Sequence, residues 1–281
     1  MVTSNKDKSK APQPLSIPKN TFWNSMGSIY YQGCQWLITV LVVKLSSGYA
    51  NAGYLAYAMT IGNLFTPIAL YGMRVYQVSD VKNRYSQSNY FAFRLVTIAI
   101  GFLVSMAYVL IVSATEAVVS LTFFYLLFKV DEVFANVPYA VEQKAYRMDY
   151  IGISQLLRGT ICLVVFSTSL FFTNDINLAV LFMFLGCILV TIFYDLSHAK
   201  YFGDILPHIS SHQTVALLKQ CFPIVISNVA CGLTVSVVRQ YFGNVYGEEA
   251  LGIYASVATP SVLIQLLAQY LYSPILAPLS K

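Results

Sequence analysis

Five polar residues recur along one apolar segment at spacings of 4, 3, 4 and 3, a rhythm that places them on one face of an α-helix. They are Tyr125, Lys129, Glu132, Asn136 and Tyr139. Lys129 and Glu132 are three residues apart and can pair along the helix. An ionisable side chain at membrane depth costs about 2.5–3.5 kcal/mol to insert, so it usually faces a cavity or a partner. The stripe therefore predicts the lining of a transport cavity, with a carboxylate available for ion coupling.

A structural alternative for this stripe stays open, namely an ion pair that joins helices inside the bundle. Asp131 lies off the polar face and needs a partner that the sequence does not identify. Leu126 is expected to face lipid.

Two arginines are further candidates for substrate contact. Arg74 ends the second apolar segment, in which Asn63 lies near the same helical face. A positive anchor at the membrane surface is an equally good interpretation of Arg74. Arg239 shares a face with Asn228 and Gly232. Its planar guanidinium suits phosphate oxygens, and the alternative is that it extends to the lipid headgroups.

The sequence shows no catalytic constellation, no metal site and no phosphate-binding loop, so we expect neither an enzyme nor a bound cofactor. His208 and His212 have an i, i+4 spacing but lie in a segment that resembles a loop. The five cysteines lie inside apolar segments without CxxC pairing, which favours plain packing roles.

Composition places these residues in a membrane. The chain of 281 residues is 57% hydrophobic and 10% charged, with a mean hydropathy of +0.63. Soluble domains carry about 25% charged residues. The net charge of +5 is modest, and the basic residues fall in short clusters between apolar runs, so nucleic-acid binding is not expected.

Long uncharged runs predict an all-α, polytopic bundle of about eight membrane-spanning helices, since about 20 apolar residues cross the hydrocarbon core. The predicted spans are 24–45, 52–73, 92–113, 117–139, 153–173, 176–195, 220–243 and 250–272. With the N-terminus in the cytoplasm, 14 of the 17 basic residues, Arg94 and Arg158 among them, fall in inner segments or their flanks. This bias predicts a cytoplasmic N-terminus.

An internal repeat appears when the sequence is shifted by 199 residues. Eight positions are then identical, among them Gly48 with Gly247 and Gly53 with Gly252, which bracket a short outer loop in each copy. The two copies have the same direction through the membrane and are therefore parallel repeats.

The chain also resembles a known family. The resemblance lies in Asn20–Trp23, the Gly48–Ala56 hairpin, the stretch from Glu142-Gln143 through Arg147, Asp149 and Ser154 to Arg158-Gly159, and, further on, Phe222-Pro223, Arg239, Leu251–Ala255 and Pro274 to Pro278. These stretches resemble the polysaccharide or O-antigen flippases (the Wzx type) of the multidrug/oligosaccharidyl-lipid/polysaccharide exporter superfamily.

The resemblance implies a transporter with two six-helix lobes. It therefore predicts one lobe over 20–212 and the first two helices of a second, truncated lobe over 213–281. The polar residues 1–19, with four lysines and three prolines, are expected to form a basic disordered tail. The resemblance also implies a multi-pass protein of the bacterial inner membrane that flips a polyprenyl-pyrophosphate-linked oligosaccharide for O-antigen, capsule or lipopolysaccharide, with other polysaccharide-assembly proteins as partners. The alternatives are a multidrug or small-metabolite exporter of the same superfamily, a membrane-bound polysaccharide-assembly enzyme, and a non-transporting assembly partner.

Overall fold

The computed structural model describes residues 12–46, 48–80, 84–112, 115–203, 205–207 and 211–279. These residues form helices and no β-strand, which confirms the all-α bundle. The helices are α1 (Ile17–Leu45), α2 (Ala50–Leu70), α3 (Met73–Ser79), α4 (Gln87–Val112), α5 (Glu116–Lys144), α6 (Met148–Thr173), α7 (Ile176–Val190), α8 (Leu196–Ala199) and α9 (Ser211–Leu279).

The eight predicted spans map onto these helices. The second span corresponds to α2, and its last predicted residue, Met73, begins the short helix α3. The sixth span is α7, which continues through a π-helical turn (Thr191–Asp195) into α8. The last two spans lie within α9, where Gly247 breaks the helix with φ 86° and ψ 169°.

Parts of two sequence predictions fall outside the described residues. These are residues 1–11 of the predicted tail and His208. The helix α1 already begins at Ile17, with a proline in its first turn, where the missing N–H costs no helical bond.

Three of the described helices are long and apolar enough to cross a membrane by length and composition alone: Gln87–Val112, Met148–Thr173 and Ile176–Phe202. The helix α5 is as long but carries Lys129, Asp131, Glu132 and Glu142 within it. Its polar residues must therefore be covered by other helices.

The helix α5 lies at the centre of the bundle, because residues from it occur in all four buried apolar clusters. Leu126, which was expected to face lipid, is fully buried among α2 and α4 residues such as Phe65 and Ile98. That prediction was wrong because the face of α5 that carries Leu126 packs against α2 and α4.

The second span breaks between α2 and α3. Tyr71 and Gly72 both adopt left-handed backbone conformations, with φ of 51° and 63°. A Cβ at Gly72 would also lie 2.8 Å from the side chain of Ile224 on α9, so both the backbone conformation and the close approach require glycine there. Arg94 reaches this break from α4, where its guanidinium and the Thr97 hydroxyl both donate to the Ala69 carbonyl.

The two copies of the repeat touch each other reciprocally. A Cβ at Gly53 would lie 1.9 Å from the Glu248 carbonyl oxygen, and one at Gly252 would lie 2.5 Å from the Tyr49 carbonyl oxygen. The shift of 199 residues maps Tyr49 onto Glu248 and Gly53 onto Gly252. Each partner in one contact is thus the repeat equivalent of a partner in the other, as in a two-fold related interface. This contact supports the internal repeat.

Candidate functional site

The predicted ion pair on α5 is present. Lys129 Nζ lies 2.6 Å from Glu132 Oε2, and the two side chains are 15% and 30% exposed. Asn136, one turn on, donates from Nδ2 to the Glu132 carbonyl at 3.2 Å. Lys129 also lies 5.8 Å from the ring centroid of Tyr125. The pairing follows from spacing alone, because residues three apart on a helix are neighbours.

Arg74 joins this stripe from α3. Its Nε donates to Gln143 Oε1 at 3.0 Å and its Nη1 donates to Asn136 Oδ1 at 3.3 Å. The guanidinium carbon also lies 6.0 Å from the ring centroid of Tyr139. The structure therefore brings together two candidates that are 62 residues apart in the chain, Arg74 and Asn136.

A polar cavity of about 190 Å³ lies between α1, α3, α5 and α6. Arg74, Glu132, Asn136 and Tyr139 form one wall, and the opposite wall consists of Ser28, Tyr31, Gln32, Gln155 and Arg158. The Ser28 hydroxyl donates to Gln155 Oε1 at 2.9 Å, which connects α1 to α6 at this wall. Hydroxyl, amide, carboxylate and guanidinium groups therefore surround one space, a set that suits sugars and oxyanions.

A second cavity of about 310 Å³ adjoins Arg74 and Asn136. Its other lining residues are mostly apolar: Thr66, Pro67, Leu70, Gly72, Val75 and Asn228. Arg74 and Asn136 line both cavities and so stand between a polar space and an apolar one.

Three candidates lie elsewhere. Tyr125 is 4% exposed and packs in the apolar cluster between α1, α5 and α7. Asn63 is exposed on α2, and Arg239 is half-buried on α9 with no described hydrogen-bond partner for its buried Nε. None of the three lines either cavity, and Lys129 is connected to the polar cavity only through its pair with Glu132. The side chains next to Gly232 on the predicted face of α9 lie outside the described residues.

The partner of Asp131 is on other helices. Arg158 Nη1 donates to Asp131 Oδ2 at 2.6 Å, and Arg158 Nη2 donates to Asp195 Oδ2 at 2.8 Å. The Thr191 hydroxyl donates to Asp131 Oδ1 at 2.5 Å and closes the cluster. Side-chain exposures of 4% for Arg158 and 1% for each aspartate show that the cluster is buried.

Arg94 and Arg158, which were counted among the basic residues that flank the membrane on the inner side, are buried inside the bundle. Arg158 is held by its aspartates, and Arg94 is 0% exposed and bonds Ala69. Sequence reasoning missed the Arg158 cluster because its members come from three segments. The available signal was a charge at Arg158 and at Asp195, each inside an apolar segment.

Outside the membrane segments, Asp80 organises the turn between α3 and α4. Its carboxylate accepts hydrogen bonds from the Arg84 and Tyr85 backbone N–H groups and from the Tyr90 hydroxyl. Partial burial opposes ionisation, but these bonds outweigh it and lower the pKa of Asp80.

The chain was compared with known proteins. No protein-family profile matches it. It is 25% identical over 270 residues to the capsular polysaccharide biosynthesis protein CapF of Staphylococcus aureus, a match that covers 94% of this chain and 66% of that protein. The MATE multidrug transporter DinF-BH superimposes with a TM-score of 0.61 at 13% identity, over 92% of this chain and 66% of its own length.

A transporter of the MOP superfamily from Pyrococcus furiosus superimposes with a TM-score of 0.57 at 15% identity, over 98% of this chain and 66% of its own length. The chain thus spans about two thirds of these relatives. It has the fold of MOP-superfamily transporters and is a multi-pass membrane protein. The resemblance to the polysaccharide-flippase type of this superfamily is confirmed by these comparisons.

Proposed function

We propose that this protein flips a polyprenyl-pyrophosphate-linked oligosaccharide across a bacterial inner membrane by alternating access, and that it is not an enzyme. The observation that supports this most is the pair of adjoining cavities that share Arg74 and Asn136. A lipid-linked oligosaccharide has a polar head, an apolar tail and an anionic junction, which match the polar cavity, the apolar cavity and Arg74.

The physical need for such a site is clear. Sugars and pyrophosphate do not cross about 30 Å of hydrocarbon unaided. Glu132, Lys129, Asn136 and Tyr139 would meet the sugar, while the planar fork of Arg74 would bind phosphate oxygens. In this proposal Tyr125 positions Lys129, whose ammonium group lies over the Tyr125 ring.

We further propose that residues 20–212 form one six-helix lobe and that 213–281 correspond to the first two helices of a second. The reciprocal Gly53 and Gly252 contacts support this division. The N-terminus would face the cytoplasm, and polysaccharide-assembly proteins would be partners at the membrane.

The test is a binding measurement on the purified chain in lipid nanodiscs. A polyprenyl-pyrophosphate oligosaccharide should bind, and Arg74→Gln should weaken binding at least about tenfold, or about 1.4 kcal/mol. Arg84→Gln is the matched control, since Arg84 is an exposed arginine just beyond α3. Tighter binding of a lipophilic organic cation than of the lipid-linked sugar would overturn this function in favour of drug export.

Arg239 and Asn228 are proposed as substrate contacts from the second repeat, and Asn63 as a contact from the first. If Arg239 binds pyrophosphate, Arg239→Lys should lower surface polymer and Arg239→Gln should nearly abolish it in a strain that lacks the native protein, because lysine has no planar fork. Full rescue by Arg239→Gln at normal membrane levels would leave Arg239 as a headgroup anchor.

A further inference from the structure

Glu142 is a buried acid that the proposed transport cavity does not use. It lies in the last turn of α5 and is 1% exposed. Neither of its carboxylate oxygens has a hydrogen-bond partner among the described residues. The other buried acids, Asp131 and Asp195, each accept a hydrogen bond from Arg158. Glu142 is therefore a buried carboxyl left outside the ion pairs around it.

The charged groups around Glu142 are largely committed to one another. Arg147 makes two hydrogen bonds to Asp149, at 2.9 and 2.8 Å, and Asp195 is held by Arg158. Titratable and charged groups from four elements face Glu142. They are Tyr139 on α5, Arg74 on α3, Arg147, Asp149 and Tyr150 around the start of α6, and Tyr194 and Asp195 on the π-helical turn. His198 stacks against Tyr150 and Tyr194.

A buried carboxylate without donors is unstable relative to the neutral acid, because burial removes water from the charge and nothing replaces it. A metal ion would need several oxygen ligands. No group of three or more potential ligands occurs within the described residues, so these surroundings do not favour a metal ion. A proton needs only the one oxygen that it bonds.

We propose that Glu142 is a proton-binding site that is occupied at neutral pH. In the binding step, an O–H bond forms between a proton from hydronium on the cytoplasmic side and a carboxylate oxygen, and water is released. No electrons are transferred. Release is the reverse step and occurs when water reaches the end of α5.

The proton is placed to influence the cavity through Arg74. The positive charge of Arg74 interacts with Glu142, and its guanidinium donates a hydrogen bond to the adjacent Gln143. Arg74 also lines both cavities. When Glu142 loses its proton, the new negative charge attracts the Arg74 guanidinium and competes with any anion bound there. This consequence rests on the proposed function, whereas the proton site does not.

The proton site can be tested by infrared spectroscopy on the purified chain in lipid bilayers. At about pH 7, the wild type should show the carbonyl stretch of a protonated carboxylic acid, with the shift in D2O that marks an exchangeable proton. Glu142→Gln should remove this band, and Glu142→Asp should keep a titrating acid. Glu116→Gln is the matched control, because Glu116 is an exposed glutamate in the first turn of the same helix.

Absence of the band in the wild type at this pH, or its persistence in Glu142→Gln, would overturn the proton site. The wild-type titration alone is decisive if the variants fail to fold. Glutamine has the shape of the protonated acid, so Glu142→Gln and the wild type should unfold at the same temperature only below about pH 4, where the glutamate is protonated in both the folded and the unfolded state. As the pH rises above this value, the unfolded glutamate ionises while the buried one keeps its proton, so the wild type should unfold at a progressively lower temperature than Glu142→Gln until the buried acid itself ionises.

The link to Arg74 needs a separate measurement, with inorganic pyrophosphate as the probe. The ratio of wild-type to Glu142→Gln affinity should fall at least about tenfold as Glu142 ionises, a comparison that cancels the titration of the probe itself. A constant ratio, with the infrared band present, would overturn the link but not the proton site. Failure of pyrophosphate to bind either protein would contradict the proposed function instead.

Discussion

Two sets of charges on the same helix have opposite surroundings. Asp131 is sealed inside the bundle with Arg158 and Asp195, at side-chain exposures of 4% or less. Glu132, the next residue, is 30% exposed, pairs with Lys129 and lines the polar cavity. A rotation of about 100° per residue separates the two faces of α5.

The difference indicates two roles. The Arg158 cluster bonds α5, α6 and the π-helical turn to each other, so its removal should affect folding. The Lys129–Glu132 pair lies within one helix and connects no other element, so its removal should affect the cavity and leave the fold intact. Arg158 also lines the cavity, so the buried cluster holds one of the cavity-lining side chains in place.

The largest effect is expected from Asp131→Ala. Removing one partner of a buried pair leaves an uncompensated charge and typically costs about 3–5 kcal/mol. The free energy of unfolding, measured by loss of helicity in a denaturing-detergent titration, should drop by this amount. Glu132→Ala on the neighbouring position is the control and should cost less than about 1 kcal/mol. Equal losses for the two variants would erase the distinction between the clusters.

A smaller effect is expected from Arg158→Lys. Lysine keeps the charge but cannot bond Asp131 and Asp195 with the two ends of a planar fork. We expect a loss of about 1.5–3 kcal/mol, the worth of one hydrogen bond to a charged group. Lys129→Arg makes the reciprocal exchange in the partly buried Lys129–Glu132 pair and should leave stability unchanged. If Arg158→Lys also had no effect, the geometry of the buried cluster would not matter.

Thiol labelling tests whether the Lys129–Glu132 side of α5 is accessible to water-soluble reagents. A water-soluble maleimide should react with Lys129→Cys and Asn136→Cys at least about tenfold faster than with Val133→Cys, because Asn136 lines the cavity, Lys129 pairs with the cavity residue Glu132, and buried thiols are inert. Val133 is 1% exposed on the same helix, and Phe123, which is 39% exposed on α5, provides a surface control for lipid. Equal protection at 129, 133 and 136 would show a closed structural pair.

The smallest effect concerns Asp80, a carboxylate outside the membrane segments. Hydrogen bonds from Arg84, Tyr85 and Tyr90 lower the pKa of Asp80 in the folded state. Its stabilisation is therefore complete above the unfolded pKa of about 3.9 and is lost as pH falls through the lower folded pKa. Asp80→Asn should remove this acid sensitivity from thermal unfolding, with a melting temperature slightly below that of the wild type near neutral pH and equal to it in acid, where the native carboxyl is also protonated. An identical acid profile in both proteins would contradict the role of Asp80.

The sequence by itself determined whatever depends on neighbours along the chain. Charge-free runs of helical length predicted the spans, and the spacing of Lys129 and Glu132 predicted their pair, because helical geometry brings residues three apart into contact. The repeat was also visible from sequence, since Gly53 and Gly252 occupy equivalent places around equivalent loops.

Only the tertiary structure decided which helices meet. It paired Asp131 with Arg158 and Asp195, brought Arg74 from α3 to Asn136, and left Glu142 without a described partner inside the bundle. It also buried Leu126, which local periodicity could not place, because the apolar residues of α5 pack against other helices on several sides. These outcomes depend on packing between distant segments, which hydrophobic runs alone do not encode.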